Sequence, residues 1–100
     1  MSKTLYLVDL SYIRPLSDVD MYRDQHIEFL NEFYGQGNFI CSGPKSPRTG
    51  GVILAQAPSK EALLKILEND PFHQEKIAQY QITEFTPAMF SDSFKNVIVS

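Results

Sequence analysis

The chain has 100 residues, of which 43% are hydrophobic and 21% charged, a composition typical of one soluble domain with a modest core. Nine basic and twelve acidic residues give a net charge of −3 without charge runs, so we expect no nucleic-acid partner. The single Cys41 excludes an intramolecular disulfide, and no signal-peptide pattern or apolar run of the roughly 20 residues needed for a membrane span is present; we therefore expect a cytoplasmic protein without a membrane partner.

The N-terminal part predicts a strand followed by a long helix. Residues 5–12 read LYLVDLSY, a β-rich run that is largely apolar on both faces. Ser17 and Asp20 have the spacing of a capping box, which predicts a helix from there to about Tyr34, where glycines follow.

The rest of the chain predicts three strands and a second helix. The strands are expected at residues 38–44, 52–57 and 77–86, with a polar connection at 45–51. The last of them places Ala78, Tyr80 and Ile82 on one side. The helix is expected to begin after Ser59 as its N-cap and to end at Asp70, because Pro71 follows.

The order β-α-β-β-α-β predicts an α+β fold, a ferredoxin-like antiparallel sheet with both helices on one face. The first and third strands, at 5–12 and 52–57, are apolar on both sides, so the open face of the sheet also needs a cover. We expect a second copy to pack sheet against sheet at about 10 Å, forming a homodimer or a larger oligomer. The tail at 88–100, with Phe90, Phe94 and the VIV of residues 97–99, is expected to pack on its own domain or across the dimer.

A histidine lies within the apolar stripe of the first helix. With 3.6 residues per turn, His26 falls between Leu30 and Phe33, where an aliphatic residue is the usual choice. Its two ring nitrogens need hydrogen-bond partners there. A core histidine satisfied by its neighbours is one interpretation, and a catalytic base is the other.

The stretch LENDPF, at residues 67–72, supplies a candidate partner. The two helices should lie side by side, so Asp70 at the end of the second can meet His26 in the first. A carboxylate bonded to one ring nitrogen fixes the tautomer and leaves the other nitrogen as a general base.

Five stretches together resemble the YciI-like, or YCII-related, family of the dimeric α+β barrel superfamily. They are RDQHIEFL at 23–30, NFICSGP at 38–44, GGVILAQA at 50–57, KEALLKILENDPF at 60–72 and the closing ITEF. The resemblance covers roughly residues 4–87 and implies a ferredoxin-like protomer that dimerises through its sheet, with an active site around His26 and Asp70. Family relatives include a dehydrochlorinase of a chlorinated trihydroxybenzene. We assign residues 1–87 to this domain and 88–100 to the tail.

Other residues are candidates for substrate binding, each with an ordinary structural alternative. Arg23 flanks the stripe and can bind an anionic group, or pair with a surface glutamate. Ser42 and Gly43 can steady a developing oxyanion, or simply end a strand. Phe72 can form the wall of an aromatic pocket, or anchor the turn. The basic loop at 45–50 can close over an anion, or stay solvated.

No metal or cofactor is predicted. His73, His26 and Asp70 could supply three metal ligands, but His73 follows a turn and is expected to be exposed. Cys41 lies in an apolar strand, where we expect a small inert core residue.

Our leading hypothesis is therefore a small cofactor-independent lyase or isomerase. In it, the His26–Asp70 pair acts as a general base on a small cyclic or phenolic substrate. The alternative is a non-catalytic module that binds a small metabolite, with the pair structuring the pocket. In a third interpretation the pair serves the fold alone.

Overall fold

The computed structural model describes residues 3–98, in which a four-stranded antiparallel sheet carries helices over one face. The elements in chain order are β1 Leu5–Tyr12, α1 Leu16–Gly35, β2 Phe39–Pro44, β3 Gly50–Ala55, α2 Lys60–Leu67, α3 Pro71–Gln74, β4 Ala78–Phe85, a 3₁₀ turn Asp92–Phe94 and α4 Lys95–Ile98. The strand order β2-β3-β1-β4 confirms the predicted ferredoxin-like arrangement. Of the helices within residues 3–98, none has the length and apolar character to span a membrane.

The core lies between the sheet and the helices and follows from the alternation of β1. Tyr6, Val8 and Leu10 are buried on the helix side of this strand. The other elements contribute a shared apolar cluster that includes Val19, Phe29 and Phe33 of α1, Ile53 and Ala55 of β3, and Leu63 and Leu67 of α2. Burial of each large apolar side chain stabilises the fold by about 1.5–3 kcal/mol, so this cluster fixes α1 over the strands.

The start of α1 differs from the predicted capping box. The helix begins at Leu16 with Pro15 in the N-cap position, and no side chain caps it. The Pro15 carbonyl accepts hydrogen bonds from the backbone N–H groups of Asp18 and Val19. Ser17 is exposed and lies one residue inside the helix, so its hydroxyl does not have the N-cap position that the motif requires.

Strand β3 begins two residues before its predicted start, because two glycines belong to the strand rather than to the turn. Gly50 pairs with Ser11 of β1. A Cβ atom added to Gly50 would lie 1.8 Å from the backbone oxygen of Leu10. The two strands approach so closely here that a side chain does not fit, which explains the glycine.

The turn at Asp70 begins a helix that the sequence did not predict. Helix α2 ends at Leu67, and Asp70 is the N-cap of the short α3. Its carboxylate accepts a hydrogen bond of 2.9 Å from the backbone N–H of Phe72. Pro71 occupies the first helical position, where its missing N–H group costs nothing. Asp70 is therefore a helix starter as well as the end of the preceding segment.

The sheet face opposite the helices, which we call the open face, carries the side chains of Leu7, Asp9, Cys41, Val52 and Leu54. Leu7 of β1 is 39% exposed and pairs in register with Leu54 of β3. Cys41 of β2 is also in register with Leu54, which places it on the same face. The prediction of a buried Cys41 is therefore wrong, because this cysteine is exposed on an edge strand and faces away from the helices.

The C-terminal segment returns to the start of the chain. The Ile98 carbonyl accepts a hydrogen bond of 2.8 Å from the backbone N–H of Lys3, and the Ile98 side chain is buried. Phe90 is exposed and Phe94 is half-buried. Val99, the last residue of the predicted apolar VIV, lies outside the described residues.

Candidate active site

The predicted contact between His26 and Asp70 is present. The Nδ1 atom of His26 lies 2.8 Å from the Asp70 Oδ1 atom, which links the middle of α1 to the N-cap of α3. The Asp70 side chain is 0% exposed and that of His26 is 14% exposed. The carboxylate is thus fully enclosed, while part of the imidazole reaches the surface.

The Asp70 carboxylate has three hydrogen-bond partners. Oδ1 is bonded to His26 and to the backbone N–H of Phe72, and Oδ2 accepts a hydrogen bond from the Tyr80 hydroxyl. A buried carboxylate is costly unless donors of this kind surround it. Because a carboxylate only accepts hydrogen bonds, His26 is expected to present its Nδ1–H to Asp70.

Tyr80 remains a hydrogen-bond donor over the whole physiological pH range. Burial, reinforced by the negative charge of Asp70, raises the pKa of the Tyr80 phenol well above its usual value of 10.0. Tyr80 lies on β4, on the helix side of the sheet, where it can reach beneath α3.

The imidazole of His26 is held by stacking as well as by its hydrogen bond. Its ring lies nearly parallel to that of Phe72, with 4.0 Å between the ring centres and 8° between the planes. Phe72 in turn meets Tyr12 edge to face at 6.0 Å. Since Nδ1 is turned to the buried Asp70, the Nε2 side of the ring is the part that a ligand can approach.

A cavity of about 760 Å³ opens between α1 and the strands β2 and β3. His26 and Phe72 form part of its wall together with Arg23, Ser42 and Gly43, and Leu10, Val19 and Ile53 add apolar surface. This is the size range of pockets that hold small organic molecules. A single-ring compound fits within it.

All four predicted substrate-binding residues, Arg23, Ser42, Gly43 and Phe72, line this cavity. None of the ion pairs formed within residues 3–98 involves Arg23, so pairing with a glutamate is not observed in that part of the chain. The Ser42 hydroxyl lies 2.5 Å from the Tyr34 hydroxyl. Ser42 therefore has a hydrogen-bond partner within the protein.

The two basic residues of the loop between β2 and β3 are each hydrogen-bonded to an acidic residue, one on each side of the sheet. Arg48 donates a hydrogen bond of 2.6 Å to Asp20 of α1, and both residues line the cavity. Lys45 donates one of 2.6 Å to Asp9 on the open face. The loop thus forms a border of the cavity instead of standing free in solvent.

Sequence reasoning missed Tyr80 and Asp20 as residues of the site, whereas Arg48 belongs to the basic loop that was a candidate for anion binding. Tyr80 was expected on the same side of its strand as Ala78 and Ile82, but nothing in the sequence indicated that it reaches Asp70. Asp20 and Arg48 are 28 positions apart, and only the tertiary fold brings them together at the cavity.

His73 is not among the described residues that line the cavity. It is exposed on α3 and meets the Tyr80 ring edge to face at 5.6 Å. Across the described residues, no three His, Cys, Asp or Glu side chains are grouped closely enough to hold a metal ion.

Comparison with known proteins supports the fold and identifies the family. The structure is similar to that of 5-chloro-2-hydroxyhydroquinone dehydrochlorinase (TftG) from Burkholderia phenoliruptrix AC1100, solved in complex with 2,5-dihydroxybenzoquinone. The match has a TM-score of 0.70 and 19% sequence identity, and covers 81% of this chain and 92% of the dehydrochlorinase chain, which shows a common fold. No curated protein matches the sequence significantly. The YCII-related domain model matches residues 5–86, and the chain therefore belongs to the YCII-related domain family.

Proposed function

We propose that this protein is a cofactor-independent lyase or isomerase that uses His26 as a general base on a small cyclic or phenolic substrate. The observation that carries the proposal is the hydrogen bond of 2.8 Å between His26 Nδ1 and the fully buried Asp70, beside a cavity of about 760 Å³. This bond leaves the Nε2 lone pair free to accept a proton. A positioned base of this kind accelerates proton transfer by about 10²–10⁴-fold.

The remaining wall of the cavity supports a substrate with a flat ring and an acidic substituent. Phe72 and Tyr12 offer aromatic surface, and Arg23 offers a guanidinium group that an anion can approach. In an elimination, Nε2 takes a proton from the substrate, the electron pair left behind forms a double bond, and chloride leaves with the electrons of its C–Cl bond. Such a step needs no oxidant.

Turnover by histidine variants tests this function. Chloride release from 5-chloro-2-hydroxyhydroquinone and related chlorinated phenols is measured for the wild type, His26→Ala and His73→Ala. We expect His26→Ala to lose about 10²-fold or more in kcat/KM, because the base is removed, and the exposed His73→Ala to keep full activity. Full activity of His26→Ala would contradict the mechanism.

A second candidate function is a binding module without catalysis. Its support is that Asp70 already has a structural task, since its carboxylate caps α3 through the backbone N–H of Phe72. A thermal-shift screen with phenolic and lactone compounds separates the two functions. Compounds that raise the melting temperature and are recovered unchanged after long incubation would favour the binding module.

We also infer that two copies associate through their open faces. Leu7, Val52 and Leu54 give this face an apolar centre that a second sheet can cover. A homodimer of this kind leaves the cavity, which lies on the helix side, accessible to small molecules.

A further inference from the structure

The hydrogen bonds to Asp70 divide into two groups with different geometric effects. Both contacts at Oδ1, from His26 and from the backbone N–H of Phe72, lie at one end of the carboxylate. The only contact at Oδ2 among the described residues is the Tyr80 hydroxyl. Rotation of the carboxylate about its Cβ–Cγ bond would move both oxygens, so the Tyr80 contact at Oδ2 restrains the plane of the group from the end opposite to the two contacts at Oδ1.

The plane of the carboxylate decides how well Asp70 accepts a proton from the His26 ring. A hydrogen bond to a carboxylate is strongest when the hydrogen lies near the plane of the group. The stacking of His26 on Phe72 fixes the plane of the imidazole as well. With both planes fixed, the Nδ1–H tautomer is favoured and Nε2 is left as the acceptor.

Tyr80 exerts this effect from outside the cavity. It is absent from the cavity wall, and its ring packs edge to face with that of His73 in α3. A substrate in the cavity therefore contacts His26 and Phe72 but not Tyr80. Any influence of Tyr80 on the reaction passes through Asp70.

We propose that Tyr80 is a positioning residue, which orients the Asp70 carboxylate and thereby keeps His26 in the Nδ1–H tautomer with Nε2 available as a base. The consequence for catalysis rests on the proposed function, whereas the tautomer is a property of the free protein. The tautomer can therefore be tested without a substrate.

The test is ¹⁵N NMR of protein labelled at its two histidines. Long-range ¹H–¹⁵N spectra distinguish the Nδ1–H and Nε2–H tautomers of each histidine. We expect a single Nδ1–H tautomer for His26 in the wild type. In Tyr80→Phe, which keeps the ring but loses the hydroxyl, we expect the His26 nitrogen signals to move toward the average of both tautomers. Tyr22→Phe, at a half-buried tyrosine of α1, is the matched control and should leave them unchanged.

Two outcomes would overturn the proposal. One is an Nε2–H tautomer of His26 in the wild type, and the other is a single Nδ1–H tautomer retained in folded Tyr80→Phe. If that variant does not fold, 3,5-difluorotyrosine is incorporated at position 80 instead. Fluorination strengthens the phenol as a hydrogen-bond donor and preserves the ring. The His26 Nδ1 proton should then move upfield as Asp70 is drawn toward Tyr80, and an unchanged position would count against the proposal.

Turnover measurements separate this inference from the proposed function. With an identified substrate, Tyr80→Phe should lower kcat at least tenfold and change KM less than threefold, since Tyr80 does not line the cavity. A correct tautomer in a protein that turns over nothing would refute the proposed enzyme and leave the role of Tyr80 intact.

Discussion

At the residue scale, Asp70 joins the local turn to the distant histidine. Its carboxylate caps α3 through Phe72 and is bonded to His26 of α1 and Tyr80 of β4. The sequence predicted the His26 contact, because a polar residue in an apolar helical stripe requires a partner and a carboxylate ends the neighbouring helix. It did not predict the Tyr80 contact, because an alternating strand shows which side a tyrosine faces but not what its hydroxyl reaches.

Tyr80→Phe should weaken the alkaline pH dependence of stability. Burial raises the pKa of Tyr80 in the folded protein above 10.0, the usual value for the unfolded chain. Below pH 10.0 the contribution of this residue is fully present. Above it, the unfolded state loses a proton that the folded state keeps, so the free energy of unfolding falls by up to about 1.4 kcal/mol per pH unit.

Urea unfolding of the wild type and Tyr80→Phe between about pH 9 and pH 11 measures this difference. Other groups that titrate in the same range are common to both proteins and cancel in the comparison. We expect the two curves to converge as the pH rises, because the phenylalanine has no proton to lose. If the unfolding free energies of the two proteins instead stay a constant distance apart, the Tyr80 phenol has the same pKa in the folded and unfolded states, and the prediction is wrong.

At the element scale, the sequence predicted most helices and strands but misplaced several ends. The β3 strand begins at Gly50 because β1 and β3 approach too closely for a Cβ atom, a tertiary constraint that a glycine pair in a turn-like sequence does not reveal. Helix α3 was missed because Asp-Pro reads as the end of one helix although it also begins the next. Both errors arise where neighbouring elements determine the local conformation.

A pair of serines tests the helix starts. The Ser59 hydroxyl accepts a hydrogen bond of 3.1 Å from the backbone N–H of Ala62, so Ser59→Ala should destabilise the protein by about 1 kcal/mol. Ser17 was predicted to cap α1, but it lies within the helix and makes no cap there. Ser17→Ala is therefore the matched control and should change the unfolding free energy by less than about 0.5 kcal/mol. Denaturant unfolding measures both changes. If Ser17→Ala lowers the unfolding free energy more than Ser59→Ala does, the assignment of Ser59 and not Ser17 as an N-cap is wrong.

At the scale of the whole molecule, the fold was predictable because two signals agreed. The order of elements indicates a sheet covered by helices on one face, and the family motifs indicate the same architecture. The cavity itself was not predictable from these signals. Its volume depends on the angle between α1 and the sheet and on the Arg48–Asp20 contact at its border.

The proposed dimer predicts a large difference between two surface substitutions. Leu7→Glu places a charge in the apolar centre of the open face, so we expect it to convert the dimer to a monomer. Met21, which is 70% exposed on α1, lies on the opposite side of the sheet, and Met21→Glu should remain dimeric. Sedimentation velocity at micromolar concentration gives the masses, and circular dichroism checks the folding of both variants. A monomeric wild type would contradict the association.

The double task of Asp70 has a consequence for redesign of the cavity. Replacing this residue removes the cap of α3 and the partner of His26 together, so a loss of activity would be mixed with a loss of structure. Mutant libraries that seek new substrates should keep position 70 and diversify side chains of α1 that line the cavity, for example Arg23 and Ile27. Variation at these positions can change which molecules enter the cavity, while His26 and Asp70 keep their contact.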